Sequence, residues 1–362
     1  MKVALIQDQL LTSAGSERVF LAICKVFPEA DVFTFCYNDE RTWPEFKNIN
    51  VRTHWAGRFV KSHSQFKIAF PIILFLMMLW DFRKYDLVIT SSASTAKYVR
   101  RIRGRHVCYC YFPTRAIWHF EKYFKDGTGV SGWLFSKLLP IFKWMDYRAA
   151  QRVSKFIAIS QTSRNAISEF YNRSSDVLFC PVDLDRFKPP VGSDRLNHFL
   201  IVSRLENWKL LDYAIEAFNV LGLPLTIVGT GPEEERLRSI AKPNVLFLGA
   251  LNDDDLIAQY RSCRAVIFTP ELEYGLVPVE AVASGAPVIA LRRGGVIETM
   301  EDAALPGANP VAILFDEPNA KSLIAAIQIF NESVFFTDQL IAHARQFGFV
   351  SFRDNLKRMS AI

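Results

Sequence analysis

HFLIVSRLENWKLLDYAIEAF, residues 198–218, carries the fold in one stretch. Phe199–Val202 is an unbroken apolar run, the pattern of a short strand buried on both faces. After it, apolar residues return at helical spacing, at Leu211, Ala214, Ile215 and Phe218. A buried strand that runs into an amphipathic helix is half of a parallel crossover unit. The turn between them holds Arg204 and Lys209, five residues apart, at the carboxyl end of the strand, where open α/β sheets bind ligands. Two cations in that place can hold a diphosphate and stabilise it as it departs.

The same unit recurs in both directions. VALI (3–6), VFTF (32–35), DLVIT (86–90), HVCYCY (106–111) and KFIAIS (155–160) precede it, and LTIVG (225–229), VLFLG (245–249), AVIFT (265–269), APVIA (286–290) and VAILF (311–315) follow. Amphipathic stretches such as Glu17–Phe27, Glu233–Ile240, Asp254–Ser262 and Ala320–Phe330 alternate with them. The expected class is doubly wound α/β with parallel sheets. At 362 residues the chain exceeds what one core usually organises, so two domains are expected. The rhythm breaks once, at FKPPVGSD (187–194), which reads as the linker. Residues 1–188 and 197–349 are the expected domains, and the last helix, about 350–362, has no following strand and must dock on something already built.

Half the residues are apolar and 22% are charged, which excludes a disordered or collagen-like chain. The net charge of +6 hides an asymmetry: residues 1–190 carry 28 Lys+Arg against 16 Asp+Glu, whereas residues 191–362 carry 15 against 21. Basic residues gather in KYVRRIRGR (97–105) and more loosely from Arg52 to Lys67. Such clusters suit an anionic partner or are plain solvated loops. Without a nucleic-acid motif, and with an acidic second half, nucleic acid is not the expected partner. IAFPIILFLMMLW (68–80) is uncharged but extends only ~20 Å as a helix, short of the ~30 Å hydrocarbon core. It reads equally as a helix lying on an anionic lipid surface, through residues 61–84, or as a helix buried against the first sheet. The six scattered cysteines have no metal-ligand spacing, and MKVALIQDQLL lacks a signal-peptide core. Together these point to a cytoplasmic protein, placed by the membrane reading at its inner face.

A second element follows AVIFT: PELEYGLVPVEAVASGAPVI, residues 270–289. Gly275 and Pro278 suit the start of a helix that Ser284-Gly285 closes. The N–H groups of Gly275, Leu276 and Val277 would then face an anion, and Glu280 could accept from ribose hydroxyls. A nucleotide fits that division better than free phosphate. Asn252–Asp255 reads as a helix cap, not a metal site. Gly229-Thr-Gly231 lacks the third glycine of a dinucleotide fingerprint.

These segments, with VGTGPEEERL, VLFLGALNDDDL and, in the first half, KVALIQDQLLTSAGSERVF and FIAISQTSRNAISEFY, resemble the retaining nucleotide-sugar glycosyltransferases of family four (group 1), in its mannosyltransferase-like, bacterial surface-polysaccharide branch. The resemblance implies the GT-B fold: two Rossmann-like domains about a cleft, with the C-terminal helix crossing back to the first. It implies a GDP- or UDP-linked sugar as donor, no metal or other cofactor, and a glycan or polyprenyl-diphosphate-linked acceptor. By position, Arg204, Lys209, Glu273 and Tyr111 take the catalytic places. Gly15, Gly249, Glu273, Tyr274, Gly275, Leu276, Val277 and Glu280 join the two cations in donor binding, and Arg115 and Trp118 lie on the acceptor side. Three positions depart from the pattern. Leu272 stands eight residues before Glu280, where the family has a glutamate; Tyr111 replaces a histidine; and Ala14-Gly15 replaces a glycine pair. Two readings follow, an active transferase or a relative that binds nucleotide sugar without transferring it.

Overall fold

The computed structural model describes residues 1–120, 129–189, 195–305 and 309–361, with the side chains of 129–134 outside that description. Strands β1 (Val3–Gln7), β2 (Asp31–Thr34), β3 (Val51–Thr53), β4 (Leu87–Ser92), β5 (Arg105–Cys110), β6 (Lys155–Ala158) and β7 (Ser175–Val177) form one sheet, ordered β3-β2-β1-β4-β5-β6-β7. Strands β8 (Phe199–Val202), β9 (Leu225–Val228), β10 (Val245–Gly249), β11 (Ala265–Phe268), β12 (Val288–Leu291) and β13 (Ala312–Phe315) form the second, ordered β10-β9-β8-β11-β12-β13. Every pairing in both is parallel. In each sheet the order reverses beside the first strand, between β1 and β4 and between β8 and β11. Those are the two places where a doubly wound sheet opens a ligand crevice.

The chain divides into two compact units, Met1–Cys180 with Phe352–Ile362, and Pro181–Ser351. Residues 181–188, grouped with the first half in the sequence reading, pack with the second unit. Val182 N–H donates to the Phe347 carbonyl at 2.9 Å, Arg186 pairs with Asp253, and Arg261 donates to the Arg186 carbonyl at 2.8 Å. Residues 190–194 of the expected linker lie outside the described residues. The final helix, Phe349–Ser360, enters the first unit, where Phe352 meets the Tyr109 ring edge-on at 5.8 Å.

Strands β3 and β7 escape the sequence reading for one reason. Each is a three-residue edge strand without a fully buried residue, so neither shows an apolar run. Residues 68–79 of the 68–80 stretch lie in the helix His63–Leu79, and the reading of a helix buried against the first sheet holds for one of its faces. Phe66, Phe70, Ile73, Leu74 and Met77 pack into the first core, whereas Ile68, Ile72, Phe75 and Leu79 are exposed.

The 97–105 cluster is not a uniform solvated loop, because Lys97 is 1% exposed. Its ammonium lies 2.9 Å from the wholly buried Asp146 carboxylate and also donates to Thr114 Oγ1 (2.6 Å) and the Ser94 carbonyl (2.9 Å). Asp146 accepts further from Tyr98 Oη (2.6 Å), Tyr171 Oη (2.7 Å), Thr114 Oγ1 (3.0 Å) and Trp118 Nε1 (2.7 Å). Burial alone would raise its pKa, but Lys97 and these hydroxyls outweigh burial and hold it below the usual carboxylate range. One carboxylate thus ties together the turns after β4 and β5 and the helix Gln161–Tyr171.

Replacing Asp146 by Asn strands the Lys97 charge, and the expected loss is about 3–5 kcal/mol in denaturant unfolding, partly recovered in Lys97→Met/Asp146→Asn. His106 gives a pH signature. Burial, helped by Arg152, depresses its pKa from 6.5 to about 3. The unfolded chain therefore takes up a proton that the folded chain refuses. The associated stability is complete above pH 6.5 and falls as pH drops toward 3, by up to about 1.4 kcal/mol per pH unit. A His106→Gln variant is expected to show a correspondingly shallower decline of Tm between pH 6.5 and 4.

Candidate active site

Strands β8 and β11 are in register at two pairs, Phe199 with Ala265 and Leu200 with Val266, and then part. Their carboxyl ends therefore splay, and the turns that follow face each other across the gap. At the corresponding place in the first sheet, β1 and β4 stay paired through all five residues, to Gln7 with Ser91. There the next residue, Asp8, turns back. Its buried carboxylate accepts from the backbone N–H groups of Ala93 (2.7 Å), Ser94 (2.9 Å), Thr95 (2.8 Å) and Ala96 (2.6 Å). The first switch point thus contains its own anion, and the second presents cations.

Arg204 stands two residues beyond β8. The segment carrying it is pinned by backbone hydrogen bonds from Ser203 N–H to the Val228 carbonyl (3.0 Å), from Leu205 N–H to Thr230 (2.9 Å) and from Glu233 N–H to Leu205 (3.0 Å). That approach explains the Gly229-Thr-Gly231 turn. Gly229 has φ +131°, and a Cβ there would lie 1.9 Å from the Ser203 carbonyl oxygen; at Gly231 it would lie 2.3 Å from that of Leu205. Gly249, ending β10, accepts from Gly229 N–H at 2.7 Å. The Arg204 guanidinium pairs with Glu206 at 2.9 Å in the open, an exposed pair worth about 0–1 kcal/mol that an arriving dianion can displace.

Lys209 ends the short turn Asn207–Lys209, with its ammonium 4.1 Å from the centre of the Trp208 ring. Its carbonyl accepts the Thr269 hydroxyl at 2.6 Å, and the Thr269 carbonyl accepts the Tyr213 hydroxyl at 3.0 Å. These two bonds stitch the turn after β8 to the turn after β11. Leu210, immediately after, takes a left-handed conformation with φ 56°, uncommon for a branched side chain and held by packing against the second core.

Beyond β11 the chain passes through Glu271, Leu272, Glu273 and Tyr274 to Gly275, which caps the helix Leu276–Ala283. The first-turn N–H groups of such a helix have no partner within it and carry its positive pole. Glu280 lies one turn in, and its Oε2 accepts the Tyr260 hydroxyl at 2.9 Å. Tyr260 is completely buried; burial, then Glu280, push its hydroxyl well above the tyrosine range, so it donates at every working pH. Leu272 acts through its backbone. Its carbonyl accepts from Gly295 N–H at 2.7 Å, and a Cβ at Gly294 (φ +70°) would lie 2.1 Å from that oxygen. The second unit thus gathers Arg204, Lys209, Gly249, Glu273, Tyr274, Gly275, Leu276, Val277 and Glu280 at one edge of one sheet.

The remaining candidates belong to the first unit. Gly15 opens the helix Gly15–Val26 after β1. Tyr111 is fastened to the same turn, its hydroxyl donating to the Ser16 carbonyl and bonded to Ser91 Oγ, both at 2.9 Å. Burial pushes that hydroxyl well above its ordinary pKa. Arg115 lies over the Phe112 ring at 5.5 Å, and Trp118 stacks on Phe170 at 4.8 Å while donating to Asp146. Trp144 is exposed, and the Trp133 side chain lies outside the described residues. Asn252 caps the helix Asp253–Ser262 by accepting from Asp255 N–H at 3.0 Å. The sequence reading did not single out Asp8, Thr269, Tyr213, Tyr260, Gly294 or Gly295. The Gly-Gly after APVIALRR was the legible signal, since paired glycines mark a close backbone approach.

Two family models match the chain: glycosyl transferases group 1 over residues 183–347 and glycosyltransferase family 4 over residues 13–186. Alpha-1,3/1,6-mannosyltransferase ALG2 of Dictyostelium discoideum is 22% identical over 347 residues, covering 81% of this chain and 78% of that protein. A GDP-mannose-dependent alpha-(1-6)-phosphatidylinositol monomannoside mannosyltransferase of Mycobacterium tuberculosis is 28% identical over 200 residues, 47% of this chain and 51% of that protein. HepE of Anabaena, solved in complex with UDP-glucose, aligns over 100% of both chains with TM-score 0.72 and 19% identity, which gives the fold as GT-B.

Gly294→Ala is expected to push the 270–275 turn aside and to lower affinity for UDP or GDP at least about tenfold by calorimetry. Gly222→Ala is the control. It carries similar strain at φ +67° with nothing within 4 Å of the added Cβ, and should leave nucleotide affinity unchanged.

Proposed function

This chain belongs to the group 1 glycosyltransferases, and we propose that it moves a hexose, with retention of anomeric configuration and without a metal, from a GDP- or UDP-linked donor. The acceptor in this reading is a glycan or a polyprenyl-diphosphate-linked glycan, and the setting is polysaccharide assembly at the cytoplasmic face of a membrane. The observation that carries the donor side is the stitched pair of turns after β8 and β11. They bring two cations, a helix N-terminus and a ribose-competent carboxylate to one edge. Mannosyltransferase relatives, one of them acting on a phosphatidylinositol mannoside, support the acceptor class. Six free, buried cysteines suit a reducing compartment.

Arg204 and Lys209 take the diphosphate, each charge contact being worth at most about 4 kcal/mol before desolvation. The N–H groups of Gly275, Leu276 and Val277 face the sugar or phosphate, and Glu280, aimed by Tyr260, accepts from the ribose. Glu273 is placed in the same turn to meet the sugar. In front-face substitution the bond from the anomeric carbon to the diphosphate oxygen breaks as the acceptor oxygen bonds on the same face. The acceptor proton passes to the departing phosphate oxygen. The protein's task is then to stabilise the leaving group, which is what a cationic, pre-pinned turn supplies. No strong protein base is needed. A Tyr111 whose hydroxyl is tied to Ser16 and Ser91 therefore serves by holding the Gly15 turn, not by moving a proton.

The binding-only reading rests on Leu272 and Tyr111 in the places of a glutamate and a histidine. One experiment separates the two. Thermal unfolding of the wild type with UDP, GDP, ADP, CMP and TDP should show a shift with one base; saturation at a hundred times Kd adds about 2.7 kcal/mol. Lys209→Ala should abolish that shift and lower sugar transfer by roughly a hundredfold or more. A nucleotide shift with no transfer to any lipid-linked or free glycan would establish the binding-only reading, and an unchanged rate in Lys209→Ala would remove this site.

A further inference from the structure

From Ile68 onward the helix His63–Leu79 is apolar all round although only one of its faces meets the core. Its outer face carries Ile68 (83% exposed), Ile72 (65%), Phe75 (55%) and Leu79 (61%). At 3.6 residues per turn these four fall within an arc of roughly 60°, so they form one stripe along the helix. Trp55 and Phe59, on the 3₁₀ turn that precedes the helix, are each 65% exposed. The helix Gly129–Gln151 packs beside the first through Phe70 and Phe135, 6.4 Å apart, and exposes Ile141 and Trp144. Large apolar side chains grouped in this way mark a docking surface, unlike single exposed leucines.

The charges around the stripe decide its occupant. From Phe46 to Trp80 the chain has no Asp or Glu, and it carries Lys47, Arg52, Arg58, Lys61 and Lys67. Arg52 is engaged with Asp31 at 2.9 Å, whereas Arg58 is exposed with its guanidinium 4.7 Å from the Phe59 ring centre. Lys61 and Lys67 are exposed beside the first turns of the helix. An apolar stripe bordered by cations, with tryptophan at its margin, matches the boundary between anionic headgroups and acyl chains. Among the described residues no helix is long and apolar enough to cross a membrane, so contact with a bilayer means lying in its surface.

We infer that the face formed by Trp55, Phe59, Ile68, Ile72, Phe75 and Leu79 docks the first unit in the surface of an anionic lipid bilayer. The hydrocarbon side chains enter the acyl boundary, and Arg58, Lys61 and Lys67 meet lipid phosphates. This inference locates the membrane contact of the proposed function and does not depend on the donor chemistry.

The full chain is mixed with vesicles of phosphatidylcholine alone or with added phosphatidylglycerol, and bound protein is separated by flotation. Binding to the anionic vesicles, weakened by salt, is expected. Ile72→Glu/Phe75→Glu, on the outer face, should lower partitioning at least about tenfold while leaving Tm and any nucleotide-induced shift intact. In wild type, acyl chains brominated near the headgroup should quench tryptophan emission through Trp55, a readout independent of any variant. Three results overturn the inference: no flotation with anionic vesicles, undiminished flotation of the double variant, or flotation without quenching. Dimers in ultracentrifugation that the double variant dissociates, without flotation of the wild type, would assign the face to a second copy of the chain.

Discussion

The brevity of one strand pairing governs the site. A parallel strand returns to its sheet only through a crossover, so within each sheet the strands end in turns at one edge. What differs between turns is how far the strands hold together before they reach it. β8 and β11 share two registered pairs and separate, and a bond from the Thr269 hydroxyl to the Lys209 carbonyl links the turns that follow them. That bond sets where Lys209 stands, and Leu210 absorbs the resulting reversal in a left-handed conformation. Nearby, glycines at 229 and 231 let the β9 turn press against the Arg204 segment. The backbone at this edge is thus held by backbone hydrogen bonds and by the Thr269 hydroxyl.

The two sheets share one topology and use their switch points oppositely. In the first, Asp8 supplies four backbone N–H groups with a carboxylate belonging to the chain itself. An amide cluster already filled by an internal anion gives a phosphate little to gain, and the carboxylate would repel it. In the second, the equivalent strand end leads to Ser203-Arg204, whose guanidinium pairs with Glu206 at 2.9 Å. The fold duplicates a switch point, and one buried carboxylate gives it a structural role in one copy. Asp146 extends the theme, a second internal anion whose five donors, Lys97 among them, gather the turns of the first sheet into a rigid edge. The positive charge of the first half is therefore spent unevenly, with Lys97 inside the fold and Arg58, Lys61 and Lys67 outside it.

The long buried strands, the amphipathic helices and the Arg204–Lys209 and 270–289 segments were legible from residue order, because burial on two faces and helical periodicity leave local patterns. β3 and β7 left none, since a short edge strand is fixed by its neighbour's hydrogen bonds and not by its own side chains. Tyr260, Thr269 and Tyr213 were invisible for a similar reason. Each acts on a residue distant in the chain, Tyr260 on Glu280 and Thr269 on Lys209, and nothing in a tyrosine or threonine codon position announces its partner. Leu272 adds a role of another kind: it stands where the family has a glutamate, and its carbonyl, which any residue would supply, receives the Gly295 N–H.

By itself the sequence determined the α/β class, the succession of the buried strands and amphipathic helices, and the cations and carboxylates that stand beside strand ends. Each of these follows from short-range chemistry: periodic burial, capping, and charge beside a strand end. Tertiary structure alone decided that Lys97 is buried and Arg58 exposed within one basic half. It also decided that Asp8 fills one switch point while the strands at the other separate after two pairs, and that one apolar helix has both a core face and an exposed face. Those outcomes depend on which groups meet after the sheet has assembled. A hydrogen bond or a desolvated charge is a relation between two places in space, and the linear order of residues records only one partner at a time.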